Sequence, residues 1–386
     1  MRVLMVSDVY FPRINGVSAS IETFRKTLQS CDIEVDIVVP RYGNELEEDG
    51  VTRVKGRSIP FVSDVEDRRL SWRKMKRTVL ERARDCDLIH IHTPFIAHYA
   101  GIRAARRLNL PVLATYHTLF TEYLQYYVPF LPHRYLSRIA RNFSRRQCNA
   151  LNAVVVPSAA MLEQLTAYGV HVPMHILPTG IPLEKFARGD RTAFRQKHGL
   201  DAARPVALFV GRVAHEKNIG FLLRVWAQAL RQKPDLLLLV AGDGPALPEL
   251  RKEAEKLGIA HAIKFLGYLD RNGELLDCYA AADVFVFASL TETQGMVLPE
   301  AMAAGLPVIA LARLGTCDIL EAGKGCIAPP EDEGAFTEAV LRFFSDAALR
   351  ERLQTEAPET ARDWSDIAST RRMAELYRSM ISSPAR

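Results

Sequence analysis

No stretch of this sequence approaches the roughly 20 consecutive apolar residues that a bilayer-spanning helix needs, which excludes a helical membrane span. The first residues, Met1-Arg2-Val3-Leu4-Met5-Val6-Ser7-Asp8, enter a strand pattern at once, so no signal peptide is expected. The six cysteines, Cys31, Cys86, Cys148, Cys278, Cys317 and Cys326, form no CxxC pair and have no histidines at zinc spacing. That counts against a zinc site and leaves reduced thiols, most of them in the core, as expected in the cytosol. No GxGxxG follows the first strand, and Asp8 falls too early to hold a ribose, which disfavours a hydride-transferring dehydrogenase. No DxD-like pair of carboxylates sits in a suitable loop, so neither a metal ion nor a cofactor is expected. No short internal repeat occurs.

What is present is an ordinary globular composition. The 386 residues are 48% hydrophobic and 25% charged, enough for two domains of usual size. The net charge of +5 is uneven: residues 1–180 hold 24 Lys/Arg against 17 Asp/Glu, and residues 181–386 hold 26 against 28. Within residues 51–150 the excess sharpens to 19 against 7, which marks a face of the first half for an anionic partner, membrane lipid or nucleic acid. No RNA- or DNA-binding motif accompanies those residues, so no nucleic acid is expected as a partner.

Short apolar runs at 3–6, 35–39, 88–91, 112–115 and 153–156 alternate with longer amphipathic stretches, the pattern of a doubly wound α/β domain. The rhythm returns at 206–210, 236–241, 263–266, 284–288, 308–311 and 325–327, which predicts a second Rossmann-like domain. Between them lies Pro173-Met174-His175-Ile176-Leu177-Pro178-Thr179-Gly180-Ile181-Pro182, proline-rich as a joint should be. The predicted domains are 1–178, joined by a returning helix over 364–386, and 179–363.

The chemistry concentrates in Thr291-Glu292-Thr293-Gln294-Gly295-Met296-Val297-Leu298-Pro299-Glu300. A buried strand ends near Ser289, Glu292 falls in a loop, and Pro299 suits the first turn of a helix that Gly305 stops. The amides of Gly295, Met296, Val297 and Leu298 can then face a diphosphate while the two carboxylates accept hydrogen bonds from hydroxyls. That set suits a nucleotide-sugar; the same residues also read as an acidic first helical turn with no ligand at all.

Other strand ends carry matching loops. Gly211-Arg212-Val213-Ala214-His215-Glu216-Lys217 sets two cations five positions apart, suited to clamp a diphosphate and stabilise its developing charge, or simply to stand solvated. Gly242-Asp243-Gly244-Pro245 and Gly267-Tyr268-Leu269 add two turns, and loops at strand C-termini make a ligand crevice. After the first strand, Gly16 lets phosphate approach the backbone, before a helix predicted at 19–28 with Ser18 or Ser20 as its cap. His117 stands just past the strand at 112–115, aimed at an interdomain cleft or merely structural, with His90 and His92 on an earlier strand and its end.

Residues 119–132 carry Phe120, Tyr123, Tyr126, Tyr127 and Phe130 without regular core spacing, an interfacial segment or a packed one. The next predicted helix puts Arg134, Arg138, Arg141 and Arg145 on one stripe and Leu136, Ile139 and Phe143 opposite. A second basic helix is predicted around Trp72, Met75, Val79 and Ala83, flanked by Arg68, Arg69, Arg73, Lys74, Lys76 and Arg77. Outward-facing arginines attract anionic headgroups, and a solvated helix face is the alternative.

Taken together, the glycine-bearing first loop, Gly211-Arg212 with Lys217-Asn218, Gly242-Asp243-Gly244-Pro245, and Glu292 with Glu300 resemble the retaining GT-B glycosyltransferases of glycosyltransferase family 4 over nearly the whole chain. The resemblance implies a GT-B fold, two Rossmann-like domains facing an interdomain cleft, with the C-terminal helix crossing back to the first. It implies that Glu292 meets the donor sugar, Glu300 the ribose, and Arg212 and Lys217 the diphosphate. By the same resemblance His117 lines the reaction centre, Gly16 touches the donor, and Tyr268 and Leu269 meet the base through backbone groups. One departure is Asn15-Gly16-Val17, where many members carry two glycines. The stretches 10–18, 116–132 and 292–300 look most like the lipid-glycosylating branch, which includes diacylglycerol glucosyltransferases and phosphatidylinositol mannosyltransferases.

The expectation is therefore a cytoplasmic enzyme, peripheral on the inner face of the cell membrane. It moves a hexose, from UDP-glucose by preference, to a hydroxyl of a lipid acceptor such as diacylglycerol, with retained configuration and no metal ion. The rival readings are the same chemistry on a glycan acceptor, as in lipopolysaccharide or exopolysaccharide assembly, and a sugar-nucleotide epimerase or phosphorylase. A nucleic-acid-binding module is the non-enzymatic rival.

Overall fold

A computed structural model describes residues 1–13, 15–58, 68–117 and 133–382. They divide into two compact units, Met1–Gly180 with Asp366–Arg386, and Ile181–Ser365.

The first unit is built on β1 (Arg2–Val6), β2 (Glu34–Arg41), β3 (Val51–Ser58), β4 (Arg68–Leu70), β5 (Leu88–Ile91), β6 (Val112–Thr115), β7 (Ala153–Val156) and β8 (Met174–Ile176). Their order is β4-β3-β2-β1-β5-β6-β7-β8, parallel except where β4 runs against β3. The second unit holds β9 (Val206–Val210), β10 (Leu237–Ala241), β11 (Ile263–Gly267), β12 (Val284–Phe287), β13 (Val308–Ala310) and β14 (Cys326–Ile327). These run parallel in the order β11-β10-β9-β12-β13-β14. Both sheets are doubly wound, and the strand order reverses between β1 and β5 in one and between β9 and β12 in the other, where such sheets bind ligands beyond their carboxyl ends.

Helices cover both faces of the central strands, so β7, β9, β10 and β12 are buried along their whole length. The last helix, Asp366–Ser382, belongs to the first unit, where Met373, Ala374, Leu376 and Tyr377 join the core formed by Val3, Met5, Ile21 and Phe24. The first helix starts earlier than predicted, at Gly16, and its cap is neither Ser18 nor Ser20. The Asn15 side chain accepts from the Ser18 amide at 2.9 Å, while both serines face inward and Ser20 bonds Thr179 at 2.7 Å. Asn is as good a cap as Ser, and a serine turned into the core cannot serve as one.

The glycines at the ends of β9, β10 and β11 let three loops touch backbone to backbone. Gly211 donates to Ala241 at 3.0 Å and Gly242 to Gly267 at 2.8 Å. Gly242 has φ 139°, and a Cβ there would stand 1.8 Å from the Gly211 carbonyl oxygen. Its glycine is required by this contact before any ligand is considered. Gly242→Ala is expected to cost about 3 kcal/mol through combined strain and overpacking. Gly258→Ala, at a left-handed glycine with open space around it, should cost only about 1 kcal/mol. Urea titration of the two variants checks the difference.

Candidate active site

In the second unit the loop leaving β9 passes an exposed Arg212, makes a short turn over His215–Lys217, and enters the helix Ile219–Ala229. The Lys217 amide donates to the Ala214 carbonyl at 3.0 Å, and that turn delivers the Lys217 ammonium onto the Glu292 carboxylate. Glu292 comes from the loop after β12, on the other side of the strand-order reversal, and both side chains are about 15% exposed. Ser289 and Leu290 each donate to the Glu216 carbonyl at 3.4 Å, which stitches the two loops together. The two cations read as one clamp thus stand differently: Lys217 is ion-paired with Glu292, whereas Arg212 has no ion pair among the described residues.

Glu300 lies in the helix Val297–Ala303 and is 2% exposed. Such burial requires partners for the charge. Arg271, from the loop after β11, pairs with one of its oxygens, and the Tyr279 hydroxyl donates to the other at 3.1 Å. The Glu300 charge raises the Arg271 pKa, and burial followed by that same charge raises the Tyr279 phenol well above its usual value, so it stays a donor. Neither partner was read from the sequence. Arg271 had a signal, being a cation in a strand-end loop like Arg212 and Lys217; Tyr279 sits in an ordinary apolar helix and had none.

Between the acids, Gly295 turns with φ 84°. The Leu298 amide donates to the Gly295 carbonyl at 3.0 Å, so it is not on offer to a phosphate, contrary to expectation. The amides of Gly295, Met296 and Val297 donate to no carbonyl among the described residues. In the next loop Tyr268 is 60% exposed while Leu269 is buried.

In the first unit Gly16 is the first residue of its helix, and a Cβ there would meet nothing within 4 Å. Its own packing does not demand glycine. Asp8, at the end of β1, accepts from Thr93 Oγ1 at 2.8 Å and from the Ala97 amide at 3.0 Å, capping the helix Ile96–Leu108. Burial, only partly countered by these bonds, lifts its pKa to about 6. His90 is fully satisfied, Nδ1 2.6 Å from the Tyr377 hydroxyl and Nε2 2.7 Å from Thr115 Oγ1. His117 Nε2 lies 3.2 Å from Nδ1 of the buried His92.

Phe120, Tyr123, Tyr126, Tyr127 and Phe130 lie outside the described residues, as does the Arg134 side chain. The helix His133–Cys148 leaves Arg138, Arg141 and Arg145 exposed, as predicted. Of the apolar face foreseen, Ile139 is 48% exposed and Phe143 is half-buried, and Ala140, Ser144, Gln147 and Cys148 turn inward. Ser144 bonds the Tyr116 hydroxyl at 2.8 Å and Gln147 bonds the Pro94 carbonyl, so polar contacts join apolar ones on the buried face. In the helix Trp72–Arg82, Met75 and Val79 are buried but Trp72 is 41% exposed. Among the described residues no helix is long and apolar enough to cross a membrane, and no group of three His, Cys, Asp or Glu is arranged to hold a metal ion.

Residues 14–185 match the family described as Glycosyltransferase Family 4, and residues 190–360 match Glycosyl transferases group 1. The chain is 33% identical over 318 residues to alpha-monoglucosyldiacylglycerol synthase of Streptococcus pneumoniae, covering 80% of this chain and 71% of that protein. It is 30% identical over 329 residues to the enzyme of the same name from Acholeplasma laidlawii, covering 80% of each. In fold it is similar to Anabaena HepE, solved in complex with UDP and glucose, with a TM-score of 0.79 at 18% identity over 98% of this chain and 100% of that one. The chain belongs to the glycosyltransferases of GT-B fold, with a Family 4 match in its first unit and a group 1 match in its second.

Proposed function

We propose that this glycosyltransferase moves a hexose from a nucleoside-diphosphate sugar, UDP-glucose by preference, to a hydroxyl of a membrane lipid such as diacylglycerol, with retention at the anomeric carbon. The observation that carries the reading is the pairing of Lys217 with Glu292 across the strand-order reversal, on the segment that also supplies the buried Glu300. Two relatives are named as monoglucosyldiacylglycerol synthases, and HepE holds UDP and glucose; both support this donor and this acceptor.

In this reading the acceptor oxygen bonds to the anomeric carbon on the face from which the diphosphate leaves. The bond from that carbon to the phosphate oxygen breaks, and the departing oxygen takes the acceptor proton. Arg212 and Lys217 stabilise the charge that builds on the diphosphate, joined by the amides of Gly295, Met296 and Val297. Glu292 accepts from sugar hydroxyls and His117 donates to the sugar. Glu300 keeps Arg271 and Tyr279 and still has lone pairs for the ribose diol, since a carboxylate offers about four acceptor sites. Gly16 approaches the donor, and backbone groups at Tyr268 and Leu269 meet the base. The exposed Arg138, Arg141 and Arg145 draw the enzyme to anionic lipid on the inner membrane face.

The test is a panel of UDP- and GDP-sugars offered with diacylglycerol or with glycan acceptors, in EDTA, with NMR of the anomeric proton of the product. A glucosyl lipid of retained configuration is the expected outcome. Transfer only to a glycan overturns the acceptor, an inverted product overturns retention, and loss of activity in EDTA overturns metal independence. Nucleotide release without any acceptor turns the reading toward an epimerase or phosphorylase. Replacing Arg138, Arg141 and Arg145 together by Gln should weaken binding to anionic liposomes, by about 1 kcal/mol per charge, in a sedimentation assay.

A further inference from the structure

His90, His92 and His117 gather at the carboxyl ends of β5 and β6, close to the strand-order reversal of the first unit. The His90 and His92 rings lie 4.0 Å apart between centroids, and His92 and His117 stack at 5.5 Å with 22° between their planes. Burial pushes the His90 pKa down to about 3 and that of His117 to about 4, and holds His92 well below its usual value, so all three imidazoles are neutral at pH 7. Each therefore has one N–H and one lone pair.

His90 is anchored by two hydroxyls and leaves its neighbour alone. Among the described residues His92, 1% exposed, makes one side-chain hydrogen bond, Nδ1 to His117 Nε2 at 3.2 Å, and its Nε2 has no hydrogen-bond partner. Two proton placements satisfy that contact. If His117 donates, the His92 proton must sit on the orphaned Nε2, and a buried N–H without an acceptor is the rarer and costlier defect. If His92 donates from Nδ1, only a lone pair is orphaned. His117 then accepts at Nε2 and carries its own proton on Nδ1.

We propose that His92 is a positioning residue that fixes His117 in the Nδ1–H tautomer and sets its ring plane, so that His117 presents a donor to a sugar hydroxyl. The inference rests on the reading that His117 meets the donor sugar. It gives the buried His92 a task that core packing does not require, since an apolar side chain would fill the space without an orphaned nitrogen.

His92→Asn keeps an N–H near the position of Nδ1, and His92→Leu removes it. Long-range proton–nitrogen NMR of the full chain with 15N-histidine reads the tautomer, with His117 assigned from His117→Gln. The expected result is Nδ1–H for His117 in the wild type and in His92→Asn, and a shift toward Nε2–H in His92→Leu. Turnover should fall about 10- to 100-fold in His92→Leu with donor KM changed less than about threefold, and recover in His92→Asn. An Nε2–H tautomer in the wild type overturns the inference even where His92→Leu does not fold, and so does an unchanged tautomer in a folded His92→Leu. A shifted tautomer with full turnover supports the positioning and overturns instead the assignment of His117 to the donor sugar.

Discussion

Lys217→Ala is expected to lower turnover about 10²- to 10³-fold, the usual effect of deleting one preorganised group that faces developing charge. The effect should fall on kcat more than on donor KM, because the leaving diphosphate carries more charge in the transition state than in the bound donor. Removing the lysine also strands the Glu292 carboxylate at about 16% exposure, so stability drops as well. Breaking a fully buried pair costs about 3–5 kcal/mol, and the residual exposure here brings the expected loss to about 2 kcal/mol. The two effects separate in the double variant Lys217→Met with Glu292→Gln, which has no stranded charge. It should recover the urea midpoint and remain inactive. Full turnover in Lys217→Ala sinks the assignment; lost turnover that returns in the double variant shows that the lysine acted through stability alone.

The same pair shows where sequence reading stops. The places of Arg212, Lys217 and Glu292 in the fold were legible because each lies in the loop after a short apolar run, and such runs are reliable marks of strands buried on both faces. Two strands that escaped, β3 and β8, lack that burial along their length, and a third, β4, is short. β3 carries Arg53 and an exposed Lys55, β4 has three residues, and β8 has exposed His175 and Ile176 at the far edge of its sheet. The acids were expected to stand ready for hydroxyls. The fold instead gives each a protein partner first, because a carboxylate removed from water needs one, and those partners come from distant loops that no spacing rule connects. Arg271 reaches Glu300 across 29 positions and Lys217 reaches Glu292 across 75. Ile139 failed for a different reason: a helical stripe shows which residues share a face, not which face the rest of the domain covers. Here Ala140, Ser144, Gln147 and Cys148 form the buried face.

Acid should unfold the first unit well before the second. Burial depresses His90 to about 3 and His98 and His117 to about 4, with His92 well below its ordinary value, and all four belong to the first unit. A group whose folded pKa lies below its unfolded value of about 6.5 binds its proton mainly in the unfolded chain. Its stabilising effect is complete above that unfolded value and is lost as the pH falls below it. Asp8 acts the other way: burial raises it to about 6, so between pH 6 and 4 the folded state holds the extra proton and gains stability. One such carboxyl offsets about one of the four histidines. Each remaining group forfeits at most about 1.4 kcal/mol per pH unit, and the partial exposure of His117 trims its share. The expected loss is about 2–4 kcal/mol between pH 6.5 and 5.5, a large part of the 5–15 kcal/mol typical of a domain. None of these four histidines lies in the second unit, so the transition reported by its fully buried Trp226 should stay in place. Hydrogen exchange of the β1 and β5 amides, followed beside Trp226 fluorescence in urea at pH 7 and 5.5, separates the units. Equal loss in both, or unchanged protection of β1 and β5, contradicts a histidine origin; restoration by His98→Gln of about one group's share supports it.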